Sequence, residues 1–256
     1  MILSACIQKG GVGKSTSVIS ISSFLALKGY KILCIDFDSQ ANTTTVLLGE
    51  EQEVSLKDAI VESMPLSEIT FKAKIENLDI IPSNISLAKL ERYLIMEHEG
   101  IYAIRDIIDD NNLIARYDYI FIDTPPSLGM LTINAMVASD FLIIPVVCSK
   151  FSIKGLQDLE ESITYVQKRP NPNLQVLGAF INQFDSRRNV VRGLEKDIVE
   201  YFGKLLFETR VRNNTRIEEA MVMKEPIFLY DPKSSGSIDF ASLCEEMLAK
   251  LTLLRT

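Results

Sequence analysis

A glycine-rich run with two lysines stands close to the N-terminus. It reads Gln8-Lys9-Gly10-Gly11-Val12-Gly13-Lys14-Ser15-Thr16. Glycines let backbone N–H groups approach phosphate oxygens closely, and a helix N-terminus adds a partial positive charge. In such a loop Lys14 reaches the β- and γ-phosphates of a nucleotide, and the Ser15 hydroxyl binds Mg²⁺. The residue types and their spacing therefore predict a phosphate-binding loop.

An acidic residue ends another apolar run. Residues 119–122 form an apolar run of strand length, and Asp123 follows them directly. Mg²⁺ keeps several of its waters and binds proteins through one or two carboxylates together with substrate phosphates. A carboxylate at the end of a strand can make such a contact. We therefore predict that Asp123 holds Mg²⁺ through water.

The glycine-rich run lies between a predicted strand and a predicted helix. Residues 2–7 are apolar, and residues 15–28 carry apolar residues at helical spacing up to Gly29. Further apolar runs at 31–35, 78–82, 119–122, 141–147 and 174–181 alternate with helical patterns. This alternation is typical of α/β proteins. We predict a mostly parallel, twisted sheet flanked by helices on both faces, with phosphate chemistry where the strands end.

The composition indicates a globular protein with one large core. The 256 residues are 47% hydrophobic, which predicts a single domain over residues 1–256. No run of 18 apolar residues occurs and no basic leader precedes the first strand, so we expect neither export nor membrane spanning. The four cysteines lack C-x-x-C spacing, and His98 has no metal-ligand companion. We expect core cysteines in a reducing cytoplasm.

The lysine ahead of the glycines distinguishes the loop from an ordinary phosphate loop. Gln8 stands where the pattern G-x-x-x-x-G-K-[ST] has its first glycine, and Lys9 follows it. In this form the segment resembles the deviant Walker A motif of the ParA/MinD family of P-loop ATPases. The resemblance implies that Lys9 crosses a dimer interface to the partner's nucleotide. The alternative interpretation of the run is a glycine-rich turn with two solvated lysines.

Two acidic segments extend the resemblance. Residues 36–42 resemble the family's D-x-D-x-Q-x-N switch segment, and residues 119–129 resemble a Walker B strand with its switch loop. The resemblance implies that Asp38 positions or deprotonates the attacking water, as a carboxylate within hydrogen-bond reach can. It also implies that Asp36 acts nearer the metal. The alternative for both aspartates is that they cap the next helix.

Two later segments also match the family, so that the resemblance covers nearly the whole chain. Residues 181–185 resemble an N-x-x-D stretch in which Asn182 reads the adenine edge, and residues 230–236 place Pro232 against the base. The resemblance implies ATP and Mg²⁺ as cofactors. The implied catalytic residues are Lys9, Lys14 and Asp38, and the implied metal ligands are Ser15, Asp36 and Asp123. The implied nucleotide contacts are Gly10, Gly11, Val12, Gly13, Lys14, Ser15, Thr16, Asn182 and Pro232.

A basic stretch interrupts an acidic chain. The formal charge is −7, yet residues 187–216 carry eight basic and four acidic residues, which leaves −11 for the remainder. Such a patch can neutralise DNA phosphates without making the whole molecule bind polyanions. Arg216 aligns with an arginine that ParA-like proteins use for non-specific DNA binding. The predicted DNA contacts are Arg187, Arg188, Arg192 and Arg216, against the alternative of a solvated helix face or surface ion pairs.

Two other classes of protein have different sequence requirements. A MinD-like membrane-cycling ATPase needs a C-terminal amphipathic helix with a basic face, whereas the last twelve residues contain two basic residues and begin with two glutamates. We expect Leu248, Leu251 and Leu254 to pack this helix onto the sheet. A nitrogenase iron protein would need a cluster-ligating cysteine in the Asp123 switch region, and residues 124–139 have none.

The resemblance thus implies an ATP-dependent partition ATPase of the cytoplasm, associated with the nucleoid. ATP closes a sandwich homodimer, the dimer binds DNA non-specifically, and hydrolysis stimulated by a ParB-like partner releases it. ParA-like proteins also position non-DNA cargo with the same core. A membrane-cycling or cargo-positioning ATPase therefore remains the alternative.

Overall fold

The chain folds around one sheet. The computed structural model describes residues 1–149, 152–187 and 189–254. Within them the strands are β1 (Ile2–Ala5), β2 (Ile32–Asp36), β3 (Phe71–Lys72), β4 (Leu78–Ile81), β5 (Tyr119–Asp123), β6 (Phe141–Val147), β7 (Gln175–Phe184) and β8 (Leu206–Arg212). They lie in the order β3-β4-β2-β5-β1-β6-β7-β8. Every neighbouring pair is parallel except β3 with β4, so the sheet is mostly parallel as predicted.

Helices connect the strands and cover both faces of the sheet. They are α1 (Lys14–Leu27), α2 (Asn42–Leu48), α3 (Leu56–Glu62), α4 (Leu66–Ile69), α5 (Leu87–Met96), α6 (Ala103–Asp110), α7 (Leu113–Arg116), α8 (Met130–Ala138), α9 (Ser152–Lys168), α10 (Asn189–Phe202), α11 (Thr215–Val222), α12 (Ile227–Tyr230) and α13 (Ser235–Leu254). Two short 3₁₀ turns, Gly100–Tyr102 and Gly203–Leu205, complete the described elements.

The central strands are buried on both sides, which explains their continuous apolar sequences. On one face, Leu25 of α1 and Phe240 of α13 belong to a core that includes residues of the sheet. On the opposite face, Leu90 of α5 and Leu159 of α9 belong to two further clusters. The helices therefore hold the sheet rigidly and leave the ends of its strands open for loops.

Three central strands end at the same edge. In the parallel register, Asp123 at the end of β5 lies beside Asp36 at the end of β2 and beside Ala5 at the end of β1. The glycine-rich loop leaves β1 just beyond that point. Loops at the carboxyl ends of parallel strands form the usual ligand-binding crevice of such sheets.

The final helix differs in part from the expectation for it. Leu251 is buried and Leu248 packs partly buried against the core, as expected. Leu254 is half exposed and Leu253 is three-quarters exposed, because the helix runs past the apolar surface that it covers.

Candidate functional site

The glycine-rich loop leads from β1 into α1. Gly11 (φ 72°) and Gly13 (φ 85°) both adopt the left-handed backbone conformation that favours glycine. A Cβ atom on Gly13 would lie 2.3 Å from Nδ2 of Asn182, so a larger residue does not fit there. Ser15 and Thr16 follow in the first turn of α1. Residues 10–16 thus surround a helix N-terminus, an arrangement that favours anions.

Lys14 lies inside this loop. Its side chain is buried, and Nζ donates to the carbonyl oxygens of Lys9 at 3.1 Å and Ile7 at 3.4 Å. Burial lowers the pKa of the Lys14 ammonium, and the negative charge of Asp123 acts in the opposite direction. A cation held in this way by backbone carbonyls can exchange those contacts for phosphate oxygens without leaving the loop.

Lys9 lies at the rim of the same loop. It is only partly buried, and Nζ donates to the Ser149 hydroxyl beyond β6 at 2.5 Å. Desolvation lowers the pKa of Lys9. The Lys9 ammonium therefore bonds outward to Ser149, whereas the loop encloses the Lys14 ammonium. Its role in a partner's site stays a prediction.

Asp36 and Asp123 form a buried acidic pair. The Asp36 carboxylate accepts hydrogen bonds from the backbone N–H of Thr44 at 2.8 Å and from the Thr44 hydroxyl at 2.7 Å. Asp123 accepts one from the Thr43 hydroxyl at 2.7 Å. Burial, and then the charge of Asp123, raise the pKa of Asp36 to about 8. Burial also raises the pKa of Asp123 to about 6, against the lowering effect of the nearby Ser15 and Thr43 hydroxyls.

These residues fit a magnesium ion. One carboxylate oxygen of Asp123, Oδ1, is buried and has no hydrogen-bond partner in the described part of the chain. Hard oxygen donors from one or two carboxylates and a hydroxyl are the protein ligands that Mg²⁺ takes beside phosphate and water. Asp123, Asp36 and Ser15 offer that set, and a divalent cation would offset the cost of burying two carboxylates.

Asp38 lies next to the acidic pair and is fixed there by hydrogen bonds. Its backbone N–H donates to Oδ1 of Asp36 at 3.2 Å, and its Oδ1 accepts from the backbone N–H of Gln40 at 3.0 Å. The Ser83 hydroxyl donates to its carbonyl oxygen at 2.5 Å. The loop therefore fixes the backbone of Asp38 beside Asp36 and Asp123, the two carboxylates that could bind Mg²⁺. Its action on water stays a prediction.

The hydroxyls of Thr43 and Thr44 were missed by the sequence reasoning. Both start α2, directly after the acidic switch segment, and both are fully buried. Thr44 also accepts from the backbone N–H of Ser83, which links α2 to the loop after β4. The run of three threonines after Asn42 is the signal that could have indicated them, because buried carboxylates need donors.

A cleft opens beside the loop at the ends of β7 and β8. Nδ2 of Asn182 donates to the Val12 carbonyl at 2.8 Å, and Nε2 of Gln183 donates to the Gly11 carbonyl at 2.8 Å. Asn182 therefore lies against the phosphate loop, as a residue contacting a base beside it would. Pro232 lies between α12 and α13 and does not line this cleft. Its contact with a base stays a prediction.

The predicted DNA-binding arginines that the structure describes are paired with carboxylates. Arg187 is 87% exposed and bonds Asp185. Arg216 is 53% exposed and bonds Glu219 at 2.7 Å, with Asp231 at 3.6 Å. Surface pairs of this kind contribute little stability and exchange readily. Arg188 and the side chain of Arg192 lie outside the described residues.

No helix in the described ranges is both long and apolar enough to cross a bilayer.

Known proteins resemble this chain along nearly its full length. A family model described as an AAA domain matches residues 1–176. The chain is 36% identical over 244 residues to the sporulation initiation inhibitor protein Soj of Bacillus subtilis, covering 94% of this chain and 96% of Soj. It is 33% identical over 251 residues to the chromosome partitioning protein ParA of Caulobacter vibrioides, covering 97% and 94%. The chain belongs to the Soj/ParA family.

Solved structures place this Soj/ParA family member in the predicted fold class. Cobyrinic acid a,c-diamide synthase from Mycobacterium smegmatis, with bound ADP and magnesium, superposes with a TM-score of 0.84 at 28% identity, covering 98% of this chain and 95% of that one. A second structure of that enzyme holds an ATP analogue and magnesium. The predicted P-loop NTPase fold is confirmed.

Proposed function

We propose that residues 1–256 form a single ATPase domain of the partition type, which hydrolyses ATP to ADP and phosphate with ATP and Mg²⁺ as its cofactors. The observation that carries this proposal is the meeting of Lys14, the acidic pair and Asp38 at one edge of the sheet. The name of the ParA relative, chromosome partitioning protein, supports partition as the process served.

The loop binds the triphosphate. Backbone N–H groups of residues 10–16 and the N-terminus of α1 attract the phosphates, and Lys14 donates to the β- and γ-phosphate oxygens. Bound Mg²⁺, held by Ser15, Asp123 and Asp36, supplies positive charge that offsets the charge of the phosphates. Burial of these groups strengthens each electrostatic contact.

Asp38 acts on the water that attacks the γ-phosphorus. As the new P–O bond forms, the bond to the oxygen bridging the β- and γ-phosphates breaks, and ADP leaves with that oxygen. The carboxylate of Asp38 orients the water and accepts its proton. The fixed backbone of Asp38, bonded to Asp36 and Ser83, supports this role because positioning is most of the catalysis in phosphoryl transfer.

ATP also controls assembly. Two copies close face to face with ATP between them, and Lys9 of each copy contacts the other's nucleotide. The ATP-bound dimer binds DNA non-specifically through Arg187, Arg188, Arg192 and Arg216, and so resides in the cytoplasm on the nucleoid. A ParB-like partner stimulates hydrolysis and releases the dimer.

Phosphate release measured with and without substitution of Asp38 tests the proposed chemistry. Asp38→Ala should bind Mg·ATP as the wild type does and hydrolyse it about 10² to 10⁴ times more slowly in a single turnover. Asp110→Ala, which removes an exposed aspartate at the end of α6, is the matched control and should not change the rate. Equal single-turnover rates for Asp38→Ala and wild type would assign the water to another residue. A wild type without ATP hydrolysis would overturn the proposed function.

A further inference from the structure

The cleft beside the phosphate loop has a wall to which the proposed function assigns no role. Its volume is about 270 Å³. The side chains that line it come from the loop, from the ends of β7 and β8, and from α11. They include Thr16, Asn182, Arg212, Ile217 and Met221. Arg212 is the member whose role no motif predicts.

Arg212 is clamped by a buried carboxylate. Its Nε donates to Oδ2 of Asp239 at 2.8 Å and its Nη2 donates to Oδ1 at 2.7 Å. Its backbone N–H adds a third bond to Asp239 at 2.9 Å. Asp239 lies in α13 and is 7% exposed, whereas the Arg212 side chain is 53% exposed. A two-pronged pair of this kind fixes the plane of the guanidinium.

This clamp decides which ligand group Arg212 can meet. Asp239 occupies the side edge of the guanidinium, formed by Nε and Nη2, and leaves its end edge and its flat faces. The Asp239 charge also offsets the attraction of Arg212 for an anion. A flat face of the guanidinium is open to a ligand, and apolar Ile217 and Met221 line the same cleft. A planar cation beside apolar side chains suits the face of an aromatic heterocycle.

We propose that Arg212, positioned by Asp239, forms the surface on which the base of the bound nucleotide stacks. The inference rests on the proposed function, because the adjacent loop must hold the phosphates of that nucleotide. Arg212 is then a base-binding residue and Asp239 a positioning residue. Since stacking involves the base alone, Arg212 contributes to the affinity for a nucleotide and nothing to the affinity for a bare polyphosphate.

Calorimetric titration of the full chain with Mg·ATP and with inorganic tripolyphosphate tests this. Arg212→Ala should weaken ATP about three- to thirtyfold, the range of a guanidinium on an aromatic face. It should leave the tripolyphosphate affinity unchanged. Arg212→Lys keeps the charge without the plane and should lose ATP affinity similarly, and Asp239→Asn should lose part of it. Arg105→Ala, which removes a partly exposed arginine of α6 that pairs with Asp109, is the matched control.

Each contrary outcome has a distinct meaning. Equal ATP affinities for wild type and Arg212→Ala would overturn the inference, as would a parallel loss of tripolyphosphate binding or full rescue by Arg212→Lys. Arg212→Lys keeps a donor for Asp239, so it carries the test if thermal unfolding shows that Arg212→Ala does not fold. A wild type that binds neither ligand would overturn the proposed function itself.

Discussion

The two lysines of the glycine-rich loop are five residues apart and have different surroundings, which favours different roles. Lys14 is buried and bonded to backbone carbonyls, whereas Lys9 reaches outward to Ser149. We therefore expect Lys14, and not Lys9, to contact the triphosphate bound to its own chain.

Lys14→Ala should therefore weaken Mg·ATP binding by about ten- to a hundredfold or more, because a charge-assisted hydrogen bond in a buried loop is lost. Lys9→Ala should leave binding to the single chain largely intact. Lys28→Ala, which removes an exposed lysine at the end of α1, is the control. Equilibrium titration decides this, and equal affinities for wild type and Lys14→Ala would exclude the loop as the ATP site.

The buried acidic pair makes the metal-free protein sensitive to pH. Because burial raises the pKa of Asp36 to about 8, the folded state holds a proton that the unfolded chain releases near the ordinary pKa of an aspartate. The folded state therefore binds more protons in that interval. By linkage, this site lowers the free energy of unfolding as the pH rises from about 4 to 8.

Asp36→Asn should remove this dependence, since an amide keeps an acceptor for Thr44 and does not ionise. The free energy of unfolding, measured by chemical denaturation in chelator at several pH values, should fall less steeply for Asp36→Asn than for wild type. Asp110→Asn, at an exposed site, should follow the wild type. Parallel curves for Asp36→Asn and wild type would show that Asp36 is ionised throughout.

Local motifs located the charged atoms of the site but not all of their partners. Asp36, Asp123 and Lys14 stand in recognisable runs and meet at one edge of the sheet. The pairing of Arg212 with Asp239 spans 27 residues and joins a strand to the final helix. No local pattern could predict it, because only the packing of α13 beside β8 brings the two together.

At the scale of elements, burial on both faces decided which strands the sequence revealed. The apolar runs at 2–7, 31–35, 78–82, 119–122, 141–147 and 174–181 all contain strands, as predicted. The two outermost strands, β3 and β8, were missed. β8 carries Arg210 and Arg212, whose charges hide a strand that is half exposed at the sheet's edge.

The segment 50–74, which had no interpretable motif, contributes α3, α4 and β3. Its buried hydrophobic residues are Leu56, Leu66 and Ile69. They are too widely spaced to form a helical or alternating pattern, and the short elements they anchor take their stability from the sheet. A helix or strand can be predicted from hydrophobic periodicity only when the pattern extends over a longer window than these short elements offer.

Helix α11 carries the strongest prediction about DNA. Arg216→Glu should weaken ATP-dependent binding to all DNA sequences alike, because phosphate contacts carry little sequence information. Each lost contact should lower the log–log salt slope by about 0.9. ATP affinity should not change, because Arg216 does not line the cleft beside the phosphate loop, although the next residue, Ile217, does. Filter binding at several salt concentrations measures both, with Arg105→Glu as the control.

Unchanged DNA affinity for Arg216→Glu would remove α11 from the interface. If the wild type also bound lipid vesicles with ATP and lost that binding without its last twelve residues, the membrane-cycling alternative would replace partition.

For the whole molecule, a charge count from the sequence does not show which basic residues have carboxylate partners. Three arginines of the basic stretch pair with carboxylates: Arg187 with Asp185, Arg212 with Asp239 and Arg216 with Glu219. All three carboxylates lie outside residues 187–216, so the charge count of that stretch did not include them. Among the described residues, these three arginines are therefore paired and are not free cations. Strong DNA binding then needs several weak contacts at once, which two copies in one assembly provide.

Light scattering of Asp38→Ala with Mg·ATP and with Mg·ADP gives its mass in solution with each nucleotide. This measurement tests most directly whether ATP controls dimerisation of the chain. Because this variant should keep ATP uncleaved, the account predicts twice the monomer mass with ATP and the monomer mass with ADP. Lys9→Ala in the same background should stay monomeric with both. The same mass with either nucleotide, or a dimer that forms without Lys9, would contradict the account.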